Sequence, residues 1–198
     1  MDISFILSLL AGYIFGAIPF GLFLCFLFGY GDIRKIGSGN IGATNVLRTG
    51  NKLLAIITLV LDSGKGAIAV LVAIFFFDTL NIGLVAIGAV LGHNFPIWLK
   101  FKGGKGVATT VGAILALSWP VGIAVCLTWV ASAVLFRISS LSALIALACA
   151  PLFSAVFGNF EYVYVVGFLT FLVFVRHHEN IQRLLKGEEA KIKLKKEK

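Results

Sequence analysis

Gly106–Phe136, GVATTVGAILALSWPVGIAVCLTWVASAVLF, runs for 31 residues without an Asp, Glu, Lys or Arg. It is too long for one upright membrane helix, which needs about 20 apolar residues, and short for two. Trp119-Pro120 lies near its middle. Proline disfavours helical geometry in the residue before it, so the run is expected to turn there and form two short helices, 106–118 and 120–136. At about 1.5 Å per residue each would be roughly 20–25 Å long. That is a little short of a hydrocarbon core, so local bilayer thinning or burial by neighbouring helices is implied.

The rest of the chain has the same character. Its 198 residues are 59% hydrophobic and 13% charged, with a mean hydropathy of +1.00, against about 25% charge in a soluble domain. Further apolar spans are read at 3–29, 53–77, 82–99, 139–157 and 162–175. The expected fold is an all-α integral membrane protein, a single transmembrane domain over 1–198 with seven helices and a basic tail, 176–198. No Lys or Arg precedes the first apolar run, and that run is too long for a secretory signal. Cys25, Cys126 and Cys149 each lie in an apolar stretch without metal-ligand spacing and read as small buried hydrophobes.

The net charge of +8 is no nucleic-acid footprint, because the basic residues fall in the gaps between spans. With seven spans, one side of the membrane receives 32–52, 100–105, 137 and 176–198. These segments hold sixteen of the seventeen Lys and Arg residues, Lys65 being the exception. The other side receives Asp2, Asp78 and Glu161. The positive-inside rule makes the basic side cytoplasmic, with the N-terminus outside and the C-terminus inside. Without the turn at Pro120 the basic tail would emerge on the wrong side.

Three polar segments lie on that basic side. In Gly37-Ser38-Gly39-Asn40-Ile41-Gly42-Ala43-Thr44-Asn45-Val46-Leu47-Arg48, glycines permit positive φ and close approach. Successive backbone N–H groups can form an anion-binding concavity, and Arg48 adds a planar fork suited to phosphate. The spacing Gly37, Gly39, Gly42 formally matches a dinucleotide fingerprint, but no strand precedes it. The plain alternative is a flexible loop. In the second segment, His93, Asn94, Lys102 and Lys105 join the glycines Gly103, Gly104 and Gly106 just before a helix, where backbone donors and the helix dipole favour anions. It is not a Walker A motif, and ordinary positive-inside flanking would explain the lysines as well. In the third, Arg176–Glu189, His177 and Asn180 are three apart and share a helix face. Adjacent histidines point apart on a helix, and with no HExxH and no nearby Cys the spacing does not read as a zinc site. Asp62 and Lys65, mid-span and three apart, read as an ion pair within one helix. Two phosphate sites at a membrane surface suggest an enzyme joining a phosphorylated polar molecule to a lipid; an anion carrier and a structural membrane subunit are the alternatives.

The runs Ser38–Arg48, Gly92–Thr109 and Arg176–Glu188 resemble, in order and spacing, the three cytoplasmic motifs of the bacterial acyl-phosphate-dependent glycerol-3-phosphate acyltransferases, the PlsY family. The resemblance implies acyl transfer from acyl phosphate to the sn-1 hydroxyl of glycerol 3-phosphate. The products would be lysophosphatidate and phosphate, with no cofactor or metal, in a monomer of the bacterial inner membrane. It implies catalytic roles for Ser38, Arg48, His177 and Asn180. It also implies substrate contacts from Gly37, Gly39, Asn40, Gly42, Thr44, Asn45, His93, Asn94, Lys102, Gly103, Gly104, Lys105 and Gly106. The first loop would take the donor's phosphate and the Gly103–Gly106 loop the glycerol 3-phosphate. Direct transfer is expected, with Ser38 as a covalent nucleophile the alternative.

Overall fold

The computed structural model describes residues 3–157 and 160–192. Asp2, part of the 158–161 turn and the end of the Lys-rich tail lie outside them. Among the described residues every regular element is a helix. Besides three short 3-10 turns (Ile33–Lys35, Leu47–Thr49 and Ile97–Leu99), the α-helices in chain order are α1 (Ile3–Gly16), α2 (Phe20–Leu27), α3 (Ala43–Val46), α4 (Lys52–Ala73), α5 (Thr79–Asn94), α6 (Val107–Leu117), α7 (Trp119–Phe136), α8 (Ser139–Val156), α9 (Phe160–Arg176) and α10 (His178–Leu185). Five stretches are long and apolar enough to cross a membrane: Ile3–Leu27, Lys52–Ala73, Thr79–Leu99, Trp119–Phe136 and Ser139–Val156. The 17-residue α9 falls one residue short of that length and would count as a sixth only if taken together with α10, from which it is bent by 64°, and α6 is a shorter apolar helix of 11 residues. Large side chains such as Leu59, Phe75, Val134 and Tyr164 point outward, as a lipid-facing surface requires.

The turn expected at Trp119-Pro120 is present. Ser118 alone is extended (φ −157°, ψ 100°), and Pro120 sits in the first turn of α7, where its missing N–H costs nothing. The two helices pack closely at Gly122, where an added Cβ would stand 2.7 Å from the Leu115 Cα.

The first span is not one straight helix. It breaks at Ala17–Pro19 between α1 and α2, because Pro19 has no N–H for the carbonyl four residues back and its ring crowds that turn, so the Ala17 and Ile18 carbonyls fall outside the regular helical ladder. In a lipid environment those carbonyls need other donors. The Ile18 carbonyl accepts from Lys65 Nζ at 2.7 Å and the Ala17 carbonyl from Trp98 Nε1 at 2.7 Å. Lys65 is also 2.9 Å from Asp62, both nearly inaccessible, as the mid-span spacing implied. All three cysteines carry free thiols, Cys25 buried and the other two half-buried.

Backbone-to-backbone contact holds α1 against α5. Gly12 and Gly16 face α5, and Gly88 and Gly92 face α1. A Cβ on Gly16 would lie 1.8 Å from the Ala89 carbonyl oxygen, and one on Gly92 2.2 Å from that of Tyr13. Small residues four apart are the usual device for close helix approach in membranes. Replacing Gly16 by Val is therefore expected to destabilise the protein by about 3 kcal/mol. Gly64→Ala, where the methyl meets nothing within 4 Å, should leave stability within about 0.5 kcal/mol. Unfolding of the two variants in detergent, side by side, measures the contrast.

Candidate active site

α4 leaves the first polar loop and α5 returns to the second. α8 then starts, and α9 ends, beside them, so all three polar segments share one end of the bundle. The first loop is folded around Asn45, which is buried within the short α3. Its Nδ2 lies 2.8–2.9 Å from the carbonyls of Ile33, Ile36 and Asn40. Its Oδ1 accepts from Ser38 N at 3.1 Å, leaving Ser38 Oγ 3.4 Å from the same oxygen. Asn45 thus spends its side chain holding the loop. Gly37 and Gly39 both have positive φ (57° and 69°), and the Arg48 side chain crosses Gly37 so closely that a Cβ there would meet it at 2.5 Å. Ser38, Gly39 and Arg48 are exposed, with Asn40 and Gly42 half-buried beside them.

The second loop closes back on the end of α5. Lys100 and Phe101 both take left-handed φ (52° and 61°), which is uncommon for residues with a side chain. Gly103 and Gly104 then donate to the carbonyls of Asn94 (3.1 Å) and His93 (3.0 Å). Neither glycine could carry a side chain: a Cβ on Gly103 would meet the His93 carbonyl at 2.2 Å, and one on Gly104 the His93 Nε2 at 2.0 Å. From the other side Arg176 donates to the carbonyls of Gly104 (3.1 Å) and Gly103 (3.2 Å), its guanidinium 5.1 Å above the Phe95 ring. His93 and Asn94 are buried, Asn94 facing Gly106. Lys102 is exposed.

The second and third segments meet where Lys105 Nζ donates to Asn180 Oδ1. Asn180 Nδ2 in turn donates to Glu189, whose carboxylate also accepts from Ser140 Oγ (2.7 Å) and Arg183 Nε (2.6 Å). Burial alone would raise the Glu189 pKa, but these three donors outweigh it and hold the carboxyl below its ordinary range. Burial, with Arg183 nearby, lowers that of Lys105, while Glu189 and Glu179 act the other way.

His177 is buried at the bend after α9, its Nδ1 2.8 Å from the Val173 carbonyl. A carbonyl only accepts, so Nδ1 carries the proton and Nε2 keeps its lone pair. Burial pushes this imidazole down to about 4, the Val173 bond opposing and Lys105 lowering it further.

Among the described residues no hydrogen bond or ion pair joins Ser38 or Arg48 directly to Lys105 or Asn180. The link runs through α8: Thr44 Oγ1 is 3.5 Å from Ser139 Oγ, and the next residue, Ser140, holds Glu189. Ser139, Ser140, Arg176, Arg183 and Glu189 were not among the site residues expected from sequence. Opposite charges at Arg183 and Glu189 were the one available signal. Ser139 and Ser140, in an apolar helix, offered none.

Residues 6–187 match the family described as glycerol-3-phosphate acyltransferase. The chain belongs to this family. It is 60% identical over 195 residues to the glycerol-3-phosphate acyltransferase of Rhodospirillum rubrum, covering 94% of this chain and 90% of that protein. To that of Paramagnetospirillum magneticum it is 55% identical over 190 residues, covering 96% and 94%. The crystal structure of PlsY (YgiH), an integral membrane glycerol 3-phosphate acyltransferase in its glycerol 3-phosphate form, superposes with a TM-score of 0.90 at 36% identity over 96% of each chain. The lysophosphatidic acid form of PlsY gives 0.88 at 35% identity over 95% of each. The resemblance to PlsY read from the three motifs holds, and the chain is an integral membrane acyltransferase.

The buried, Nδ1-protonated His177 should titrate far from an exposed imidazole. In protein carrying ring-labelled histidine, the NMR resonance that disappears in His177→Asn is expected to move at about pH 4, so the ring is neutral from pH 8 down to about 5. A midpoint near the ordinary 6.5 would contradict the burial and bonding described.

Proposed function

We propose that the protein transfers an acyl group from acyl phosphate to the sn-1 hydroxyl of glycerol 3-phosphate, the first acylation of phospholipid synthesis, giving lysophosphatidate and inorganic phosphate. The observation that carries this reading is the Lys105–Asn180 contact, which brings two of the three polar segments into one basic site beside the buried His177. Acyl phosphate is an activated mixed anhydride. The glycerol hydroxyl oxygen attacks the acyl carbonyl carbon, the bond from that carbon to the phosphate oxygen breaks, and phosphate leaves with the electron pair. The hydroxyl proton passes to the departing phosphate or to His177 Nε2. The protein's contribution is then positioning and charge stabilisation.

Glycerol 3-phosphate is placed on the Gly103–Gly106 loop. There Lys105 faces a neutral carboxamide, so its charge is available to a phosphate. His93, Asn94 and Lys102 flank that loop. The donor's phosphate is placed on Gly37–Thr44, with Ser38, Asn40 and Arg48 as donors and Asn45 keeping the loop in shape. His177 and Asn180 orient the polar substrate. Direct transfer is favoured over an acyl-Ser38 intermediate, because Ser38 Oγ lies 3.4 Å from an amide oxygen, which is no general base. An anion carrier would need Asp62 and Lys65 along a path, whereas both are buried and paired with each other.

Seven membrane crossings complete the proposal, with α6 and α7 as two of them. The N-terminus lies outside and the site faces the cytoplasm across the bacterial inner membrane. The supporting fact is that sixteen of seventeen basic residues fall at one end under this topology. One chain supplies every residue invoked, so a monomer suffices.

Purified protein given acyl phosphate and glycerol 3-phosphate is expected to form lysophosphatidate, and none with acyl-CoA as donor. Product from acyl-CoA alone would sink the donor assignment. Without glycerol 3-phosphate, radiolabelled phosphate should not exchange into acyl phosphate. Exchange that vanishes in Ser38→Ala would establish the covalent route instead.

A further inference from the structure

Beneath the Gly103–Gly104 turn lies a buried polar chain that the proposed chemistry does not use. Lys65 Nζ donates to the Ile18 carbonyl at the α1–α2 break (2.7 Å) and forms an ion pair with Asp62 Oδ1 (2.9 Å). The same carboxylate oxygen faces His93 Nδ1 at 3.7 Å, an electrostatic contact rather than a hydrogen bond, and neither of these two buried atoms has a hydrogen-bond partner among the described residues. The opposite edge of that imidazole, at Nε2, fills the place where Gly104 would otherwise carry a side chain. Asp62, Lys65 and His93 are all under 5% exposed. Gly104 is therefore pinched between the His93 ring below and the Arg176 guanidinium, bonded to its carbonyl, above.

We propose that Asp62, Lys65 and His93 form a positioning unit for the glycine turn: the ion pair orients the imidazole, and the imidazole sets the depth at which Gly103, Gly104 and hence Lys105 stand. Three features support a positioning role over a filler role. Ionisable groups are costly at this depth, and an apolar pair would pack as well without the charge. Lys65 does not simply neutralise Asp62, since it also ties α4 to the α1–α2 break. Finally, His93 serves the loop twice, through its ring against Gly104 and through its carbonyl, which accepts the Gly104 N–H. A binding group must be held to within about 0.5 Å by the residues that support it, so fixing the turn from beneath sets how well it holds its substrate. His93, read from sequence as a substrate contact, becomes in this account a residue that acts through Gly104. The kinetic arm below rests on the placement of glycerol 3-phosphate on this turn; the exchange arm does not.

The test uses full-length protein in detergent. His93→Phe keeps a ring in the Gly104 notch but removes the nitrogen facing Asp62. Asp62→Asn/Lys65→Gln removes both charges while keeping polar groups at each position and a donor for the Ile18 carbonyl, and it stands in if the first variant fails to fold. Hydrogen–deuterium exchange of the peptide spanning Gly103–Gly104 should rise at least about tenfold in either variant, with helix peptides and melting temperature unchanged. The KM for glycerol 3-phosphate should rise about tenfold, with kcat and the KM for acyl phosphate within about threefold, and His93→Gln should recover part of the loss. Faster turn exchange with no change in that KM, when Lys105→Ala also leaves it unchanged, supports the positioning unit and overturns the substrate placement. Unchanged exchange in a folded variant overturns the positioning unit. So does a uniform loss in which melting, both KM values and kcat move together.

Discussion

A lysine buried in apolar surroundings closes the gap that a proline opens. Pro19 interrupts the first span, and Lys65 from α4 adds a donor to the Ile18 carbonyl, which among the described residues otherwise accepts only the Phe20 N–H at 3.2 Å. Asp62 compensates that cation within one helical turn. In water a frayed turn would be hydrated at little cost; in hydrocarbon each unpaired carbonyl costs several kcal/mol. The break therefore fixes where α4 sits against α1–α2. Both polar loops inherit that placement, because α2 leads into the first loop and α4 leaves it. The Trp98 indole, on the second loop, bonds the adjacent Ala17 carbonyl, so the second loop is moored to the same break.

From this anchored end the site is assembled by neutral amides as much as by charges. Asn45 gathers three carbonyls and a backbone N–H into one compact loop, and Asn180 stands between Lys105 and Glu189. Glu189 satisfies Ser140, Asn180 and Arg183 together, tying the segment after α10 to the start of α8. The Ile192 N–H donates to the Arg137 carbonyl at 2.6 Å, which extends the same tie. Positive charge is thus concentrated at this end while the backbone and amides that aim it are internally bonded. Preorganisation of this kind lets an enzyme stabilise developing charge without rearranging.

Much of this was legible in the sequence for identifiable reasons. The turn at Ser118–Pro120 followed from one proline and the sign of the downstream charges. The Asp62–Lys65 pair followed from i, i+3 spacing within an apolar run. The grouping of three polar segments followed from alternation of spans. Pro19 was passed over because a proline inside a charge-free run reads as tolerated, and the donor that tolerates it comes from 47 residues away. Asn45 looked like a ligand contact because sequence cannot show an amide consumed by its own loop. Ser140 was invisible, since a serine at the start of an apolar helix looks the same whether or not a distant carboxylate uses it.

The account depends on Lys105 and Asn180 acting as one unit, because that contact unites the second and third segments. A double-mutant cycle on the catalytic efficiency toward glycerol 3-phosphate measures this directly. If the account is right, Lys105→Ala and Asn180→Ala will be strongly non-additive, with the double variant losing little more than the worse single one. Losses that simply multiply would show two independent residues and contradict the single site described.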